Sequence, residues 1–129
     1  MLGNSPIITN IPAVDLNRAV QFYTDVLGLS VVFQADSEEP FALLEAGQGT
    51  RLFIYQRSAT TADHTVFAFI VEDIDAAVDA LAAQGVVFEH YDSPNGPLTD
   101  ERGIARMETG AAAWFKDTEG NILSVGVLE

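Results

Sequence analysis

Apolar and polar positions alternate along this chain with two different periods, and each period occurs twice. After Asp15, apolar residues fall at Leu16, Ala19, Val20, Tyr23, Val26 and Leu27; after Asp73 they fall at Ile74, Ala77, Val78 and Leu81. Spacing of this kind gathers the apolar side chains on one stripe of a helix, so each run predicts an amphipathic helix packed by one face. Each run opens with an aspartate whose carboxylate can accept from the free N–H groups of a first turn. Each closes near a glycine, Gly28 or Gly85, suited to the left-handed C-cap. Elsewhere the period falls to two. Thr65, Phe67, Phe69 and Val71 alternate with Val66, Ala68 and Ile70, and Arg51, Phe53 and Tyr55 alternate with Leu52 and Ile54; this is the pattern of strands. GLSVVFQ at 28–34 and GVVFEHY at 85–91 predict a strand after each helix. In WFKDTEGNILSVGVLE at 114–129, a turn sequence between two apolar runs predicts a hairpin.

The two halves superpose. Asp15, Leu16, Ala19, Val20 and Tyr23 become Asp73, Ile74, Ala77, Val78 and Leu81 on adding 58, and Ile8 becomes Val66 by the same step. Farther on the offset is 71: FALLEAGQGTRLFIYQ at 41–56 aligns with AAWFKDTEGNILSVGV at 112–127, so that Gly49 matches Gly120, Leu52 matches Leu123 and Phe53 matches Ser124. The added residues are assigned to SPNGPLTDERGIARMETG at 93–110, whose Pro, Gly and charge read as a long loop, a kind that is often functional. The sequence therefore predicts one domain over 1–129 containing two strand–helix–three-strand modules, 1–57 and 62–129, joined by RSATTAD at 57–63. Neither module has core enough to stand alone. The strand at 65–71 is apolar on both faces; one face takes the helix, and the other needs a second covering, such as a ligand held in a cupped sheet or a partner chain.

Composition narrows the function. The chain has 129 residues, 48% of them apolar, and no run approaches the roughly 18 apolar residues of a membrane span. MLGNSPIITN has neither the basic start nor the apolar block of a signal peptide, and cytoplasm is the default compartment. The absence of cysteine excludes disulfides and thiolate chemistry. Nineteen acids against six bases give a net charge of −13, which repels phosphate backbones and favours solubility or a cationic ligand.

With these words in this order, IPAVDLNRAVQFYTDVLGLSVV at 11–32, FAFIVEDIDAAVDALAAQGV at 67–86 and AAAWFKDTEGNIL at 111–123, the chain resembles the vicinal oxygen chelate superfamily of glyoxalases, bleomycin-resistance proteins and extradiol dioxygenases. The resemblance spans almost the whole chain. It implies an α+β fold in which two βαβββ modules form a cupped, partly open β-barrel-like sheet with the ligand site in its concavity, and a homodimer. Metal-dependent members hold a divalent ion with His, His and Glu, and with a further Glu in the glyoxalase I type. Carried over by motif, the first ligand falls at Ile8, the second at Val66, the third at Ser124 and the fourth at Phe53. Divalent ions need several N or O donors converging on them. Ile8, Val66 and Phe53 offer none, and Ser124 offers a neutral hydroxyl. The expectation is a site with no metal and no cofactor, lined by apolar residues. A shifted register through Asn10 and His64 rescues it poorly: a two-residue step moves a ligand about 7 Å along a strand, and the nearest carboxylate following Ser124 is Glu129.

The candidate ligand-binding residues are Ile8, Asn10, Phe41, Arg51, Phe53, Tyr55, His64, Val66 and Ser124, with no catalytic residue assigned. Arg51 is a candidate partner for an anionic group and Tyr55 for stacking or a hydrogen bond; the alternative places both at a rim or interface. His64 and His90 read as rim and surface histidines, and Trp114, the repeat mate of Leu43, as a packing residue. The bleomycin-binding members also lack metal ligands, and the resemblance places Phe41 at one of their aromatic drug-stacking positions. The other, a tryptophan there, is Thr109 here. The favoured function is metal-free binding of a small, cationic or aromatic molecule in an apolar cavity. The rivals are a family enzyme working by acid–base chemistry through Arg51, Tyr55, His64 or the 93–110 loop, and a structural dimer without a ligand.

Overall fold

The computed structural model describes residues 1–92, 94 and 96–128. The chain forms two compact units that meet between Thr61 and Ala62. In the first, β1 (Thr9–Ala13) leads into α1 (Leu16–Gln21), followed by β2 (Ser30–Ala35), β3 (Phe41–Glu45) and β4 (Arg51–Gln56). In the second, β5 (Thr65–Ile70) leads into α2 (Ile74–Ala83), followed by β6 (Ile104–Met107), β7 (Gly110–Lys116) and β8 (Ile122–Leu128). Each unit has one four-stranded mixed sheet, in the orders β1-β4-β3-β2 and β5-β8-β7-β6. The first strand of each lies parallel to the last, and the remaining pairs are antiparallel. This is the α+β architecture expected from the sequence. The sheets remain two separate four-stranded sheets and do not close into a barrel.

The strand registers reproduce both sequence offsets. Asn10 pairs with Phe53 and Leu43 with Phe53 in the first sheet; Ala68 pairs with Ser124 and Trp114 with Ser124 in the second. Both caps form as the aspartates predict: Asp15 Oδ1 accepts from the Arg18 N–H at 3.1 Å, and Asp73 Oδ1 from the Ala76 N–H at 3.1 Å. The two units differ in how their helices end. Sequence periodicity carries the first helix to Leu27, but from Phe22 to Val26 it widens into a π-helical turn. Here the Leu27 N–H reaches the Phe22 carbonyl, while the Thr24 hydroxyl donates to the Val20 carbonyl at 2.9 Å, competing for an acceptor that the α-helical ladder uses.

One face of each sheet makes the core. In the first unit Ile11, Ala13, Ala42, Leu44, Leu52 and Ile54 are buried together with Leu16, Ala19, Val20 and Tyr23 of the helical segment. In the second, Ala113, Phe115, Leu123 and Val125 are buried with Ile74, Val78 and Phe88. Burial of each large aliphatic side chain contributes on the order of 1.5–3 kcal/mol. Along β4, Leu52 and Ile54 are buried while Phe53 and Tyr55, which alternate with them, are only partly so.

The second strand of the second unit is not where the pattern put it. GVVFEHY at 85–91 forms no continuous strand, and β6 lies inside the segment read as a loop. Phe88 makes a single bridge to Phe115, and the Glu89 N–H donates to the Trp114 carbonyl at 2.8 Å. β6 pairs with β7 only from Gly110 to Ala113, so the two segments share one edge of β7. The extra residues lie between α2 and β6. Ser93 and Asn95 of the 93–110 segment, and Glu129, lie outside the described residues.

Candidate functional site

Away from its helix, the first sheet carries a row of aromatic rings. Phe41 and Tyr55 are cross-strand partners, as are Leu43 and Phe53, and Phe33 opposes Leu43 from β2. These registers set Phe33, Phe41, Phe53 and Tyr55 side by side. Ring centroids are 5.7 Å apart for Phe33–Phe41, 5.0 Å for Phe41–Phe53 and 6.4 Å for Phe53–Tyr55, and the latter two pairs are near-parallel at 28° and 27°. Phe41, Phe53 and Tyr55 are only partly buried, and Phe33 is exposed. Asn10 lies on the same face beside Phe53. Ile8 precedes β1 and is 46% exposed. Arg51 lies at the end of the face, where its guanidinium is 3.3 Å from the carboxylate of its cross-strand partner Glu45. Its charge is therefore already matched by a neighbour.

The corresponding face of the second sheet carries small side chains. Asn10, Phe41, Phe53 and Tyr55 are replaced at equivalent register positions by Ala68, Ala112, Ser124 and Gly126. Around them is a half-open cavity of about 130 Å³, with Ile70, Met107 and Leu128 among its other lining residues. Ser124 is only 7% exposed and lines this cavity; among the described residues no buried side-chain nitrogen or oxygen lacks a hydrogen-bond partner. Trp114, expected in the core, instead shares this face and is half-buried. Its indole N–H donates to Thr65 Oγ1 at 3.1 Å and its ring meets Tyr91 edge-on at 5.6 Å. Burial, aided by the Glu89 carboxylate, raises the Tyr91 pKa above the ordinary phenol value.

Val66 is half-buried on β5. A bulge between Thr65 and Phe67 interrupts the strand there, so the strict alternation that would align His64 with Val66 is broken. His64 itself is exposed in the connector before β5. His90 Nε2 lies 3.1 Å from the Glu101 carbonyl, in a loop remote in sequence from these strands. Among the described residues no group of three or more His, Asp or Glu side chains is placed to hold a metal ion.

The sequence reading identified Phe41, Phe53 and Tyr55 but missed Phe33. Its signal was available: pairing 28–34 antiparallel with 41–45 sets Phe33 opposite Leu43, diagonal to Phe41. It also missed the small residues around Ser124, Ala68, Ala112 and Gly126, which become visible only when each residue of the first face is compared with its repeat mate.

A duplicated βαβββ unit with an open sheet face in each copy is the fold of the vicinal oxygen chelate class. The model of the Glyoxalase/Bleomycin resistance protein/Dioxygenase superfamily matches residues 7–125, and the chain belongs to that family. Among solved structures it is similar to a glyoxalase family protein from Enterococcus faecalis, with 20% identity, a TM-score of 0.72 and coverage of 98% of this chain and 99% of that one. It is also similar to lactoylglutathione lyase from Agrobacterium tumefaciens, with 21% identity, a TM-score of 0.70 and coverage of 97% and 95%. A third similar structure is the fosfomycin resistance protein FosX from Listeria monocytogenes in complex with Mn(II) and sulfate, at 12% identity, a TM-score of 0.68 and coverage of 98% and 93%. At these identities the likeness shows the fold alone. No curated protein sequence matches the chain.

Proposed function

We propose that this protein binds a small planar or aromatic molecule without a metal or cofactor, acting as a homodimer that sequesters rather than transforms its ligand. The observation that carries this reading is the row Phe33–Phe41–Phe53–Tyr55, whose rings, the last three stacked, remain accessible on a sheet face. Aromatic faces present a negative quadrupole to a planar or cationic guest, and the net charge of −13 adds long-range attraction for a cation. In this reading the family's metal ligands have been lost, with Ile8, Val66, Phe53 and Ser124 in their places. Asn10 and Tyr55 supply the polar contacts beside the row, and Arg51 stands at its end. The acid–base rival is weakened because Arg51 is paired with Glu45 and His64 has no carboxylate partner among the described ion pairs.

The test has two arms. Protein purified without chelators is expected to carry no stoichiometric divalent metal by elemental analysis, and one equivalent of metal per chain would overturn the metal-free reading. A thermal-shift panel of planar cations and neutral aromatics is expected to raise the melting temperature by mass action. Phe53→Ala should weaken the best compound about tenfold, in line with a stacking contribution of roughly 0.5–1.5 kcal/mol beyond area burial. A panel in which nothing shifts the melting temperature, with the dimer intact, would favour the structural dimer instead.

A further inference from the structure

We infer that residues 99–107, which carry β6, form a flap held shut by charge, and that raising the ionic strength releases it from α2 and from the edge of β7. The second unit, 62–129, has thirteen acidic residues and only three basic ones, Arg102, Arg106 and Lys116. All three serve one task. Arg102 Nη1 lies 2.7 Å from Asp75 Oδ1, while its Nη2 pairs with Asp79 and donates to the Asp75 carbonyl at 3.4 Å. Arg106 Nη2 meets the same Asp75 Oδ1 at 2.9 Å. Lys116 of β7 lies 3.6 Å from Glu89, in the segment between α2 and β6. Apolar anchoring of the flap is slight. Gly103, Ile104 and Ala105 are buried, whereas Asp100, Glu101, Arg106 and Met107 are exposed. β6 has four residues and pairs on one side, with Gly110–Ala113 of β7. An element with few buried apolar contacts and a single ladder opens ahead of the rest of a fold. Ile104 keeps the flap closed at rest, and the Asp75 carboxylate shared by two guanidiniums sets how tightly. The side chains of that cluster are 36–73% exposed, so dissolved salt screens them. Opening uncovers the β7 edge and carries Met107 away from the cavity it lines. The whole molecule responds to salt in the opposite sense: at a net charge of −13, self-repulsion disfavours the compact state and screening relieves it. The flap therefore loosens under the conditions that make the global fold firmer, and no uniform change in stability gives that pair of responses.

Native-state hydrogen exchange of the full chain, read by NMR, tests this. Sodium chloride is raised from about 0.01 M to about 1 M, over which the screening length falls from about 30 Å to about 3 Å. Amides shared by β6 and β7 should exchange about three- to tenfold faster at the high end, the effect of two or three surface ion pairs, while amides shared by β7 and β8 should slow or hold. Arg102→Gln should give the β6–β7 amides at low salt the rate that the wild type reaches at high salt, and should flatten their salt response. Arg57→Gln, the same change of charge in the first unit, should leave both unaltered. The inference is overturned if the β6–β7 and β7–β8 amides follow one salt dependence, since the flap then opens only with the whole unit. It is equally overturned if Arg102→Gln speeds exchange but keeps the wild-type salt response, which would make the edge mobile without a charge latch. The wild-type titration decides the first point by itself, whether or not the variant folds. None of these amides or variants lies in the aromatic row, so the outcome is independent of the ligand reading.

Discussion

Asp100 illustrates how one exposed carboxylate organises a turn. Its Oδ1 accepts from the Arg102 N–H at 2.8 Å and the Ile104 N–H at 3.0 Å, and its own N–H donates to the Ile104 carbonyl at 2.9 Å, so the chain enters β6 already folded back on itself. The Ile104 N–H is the main reason its pKa lies below the ordinary carboxylate value; partial desolvation opposes this, and the Arg102 N–H and the charges of Arg106 and Arg102 add to it. A carboxyl depressed in the folded state adds stability above its unfolded pKa, near 3.9, and loses that contribution as pH falls through the lower folded value. Urea unfolding of the wild type and of Asp100→Ala should therefore differ by a constant amount above about pH 5, and the difference should shrink below about pH 4. Ser124 shows the limit of legibility at this scale. The repeat identifies it as the mate of Phe53, but its place between Ala68 and Trp114 on neighbouring strands comes from the sheet register, and spacing along one chain does not carry that.

Among the elements, the helices were the most legible because each signal is local. The Asp15 and Asp73 caps depend on a carboxylate and an N–H three residues apart, and the stripe depends on the helical period. Asp73→Ala should destabilise the protein by about 1 kcal/mol, the ordinary effect of losing an N-cap, as a shift in the urea midpoint with the slope unchanged. β6 was missed because its signals are not local. It has four residues, and two of them, Arg106 and Met107, are exposed. Arg106 and the nearby Arg102 reach back to Asp75 on α2, at 2.9 Å and 2.7 Å, and Arg102 also pairs with Asp79. In sequence these charges look like a solvated loop; in the fold they fasten β6 to the helix. Conversely, Val86, Val87 and Phe88 look like a strand, but Val87 is 81% exposed and only Phe88 enters the core. The first helix was read too simply for the same reason: its apolar stripe continues to Leu27, while Thr24 diverts the hydrogen bonds. The hairpin between β7 and β8 was read correctly from Asp117 to Asn121. The Asp117 carboxylate accepts from the N–H groups of Glu119 and Asn121 at 2.8 and 2.9 Å.

At the scale of the whole molecule, duplication was the most informative feature. Two offsets found in the sequence became identical strand orders and, between β3 and β4 and between β7 and β8, matching registers. The duplicate also diverged, with four rings in a row on one sheet face and alanine, serine and glycine beside Trp114 on the other. The same strand order has a consequence in time. Each sheet joins its first strand to its last, β1 to β4 and β5 to β8, while the other pairs are made between neighbours in sequence. Contacts between distant segments close late because the loop entropy is spent before they repay it. During synthesis Thr9 waits for Leu52 to emerge before it has a partner. In pulse-labelled refolding, amides shared by β3 and β4 should gain protection before those of β1. Protection of β1 first would show that the helix, rather than the meander, organises each half.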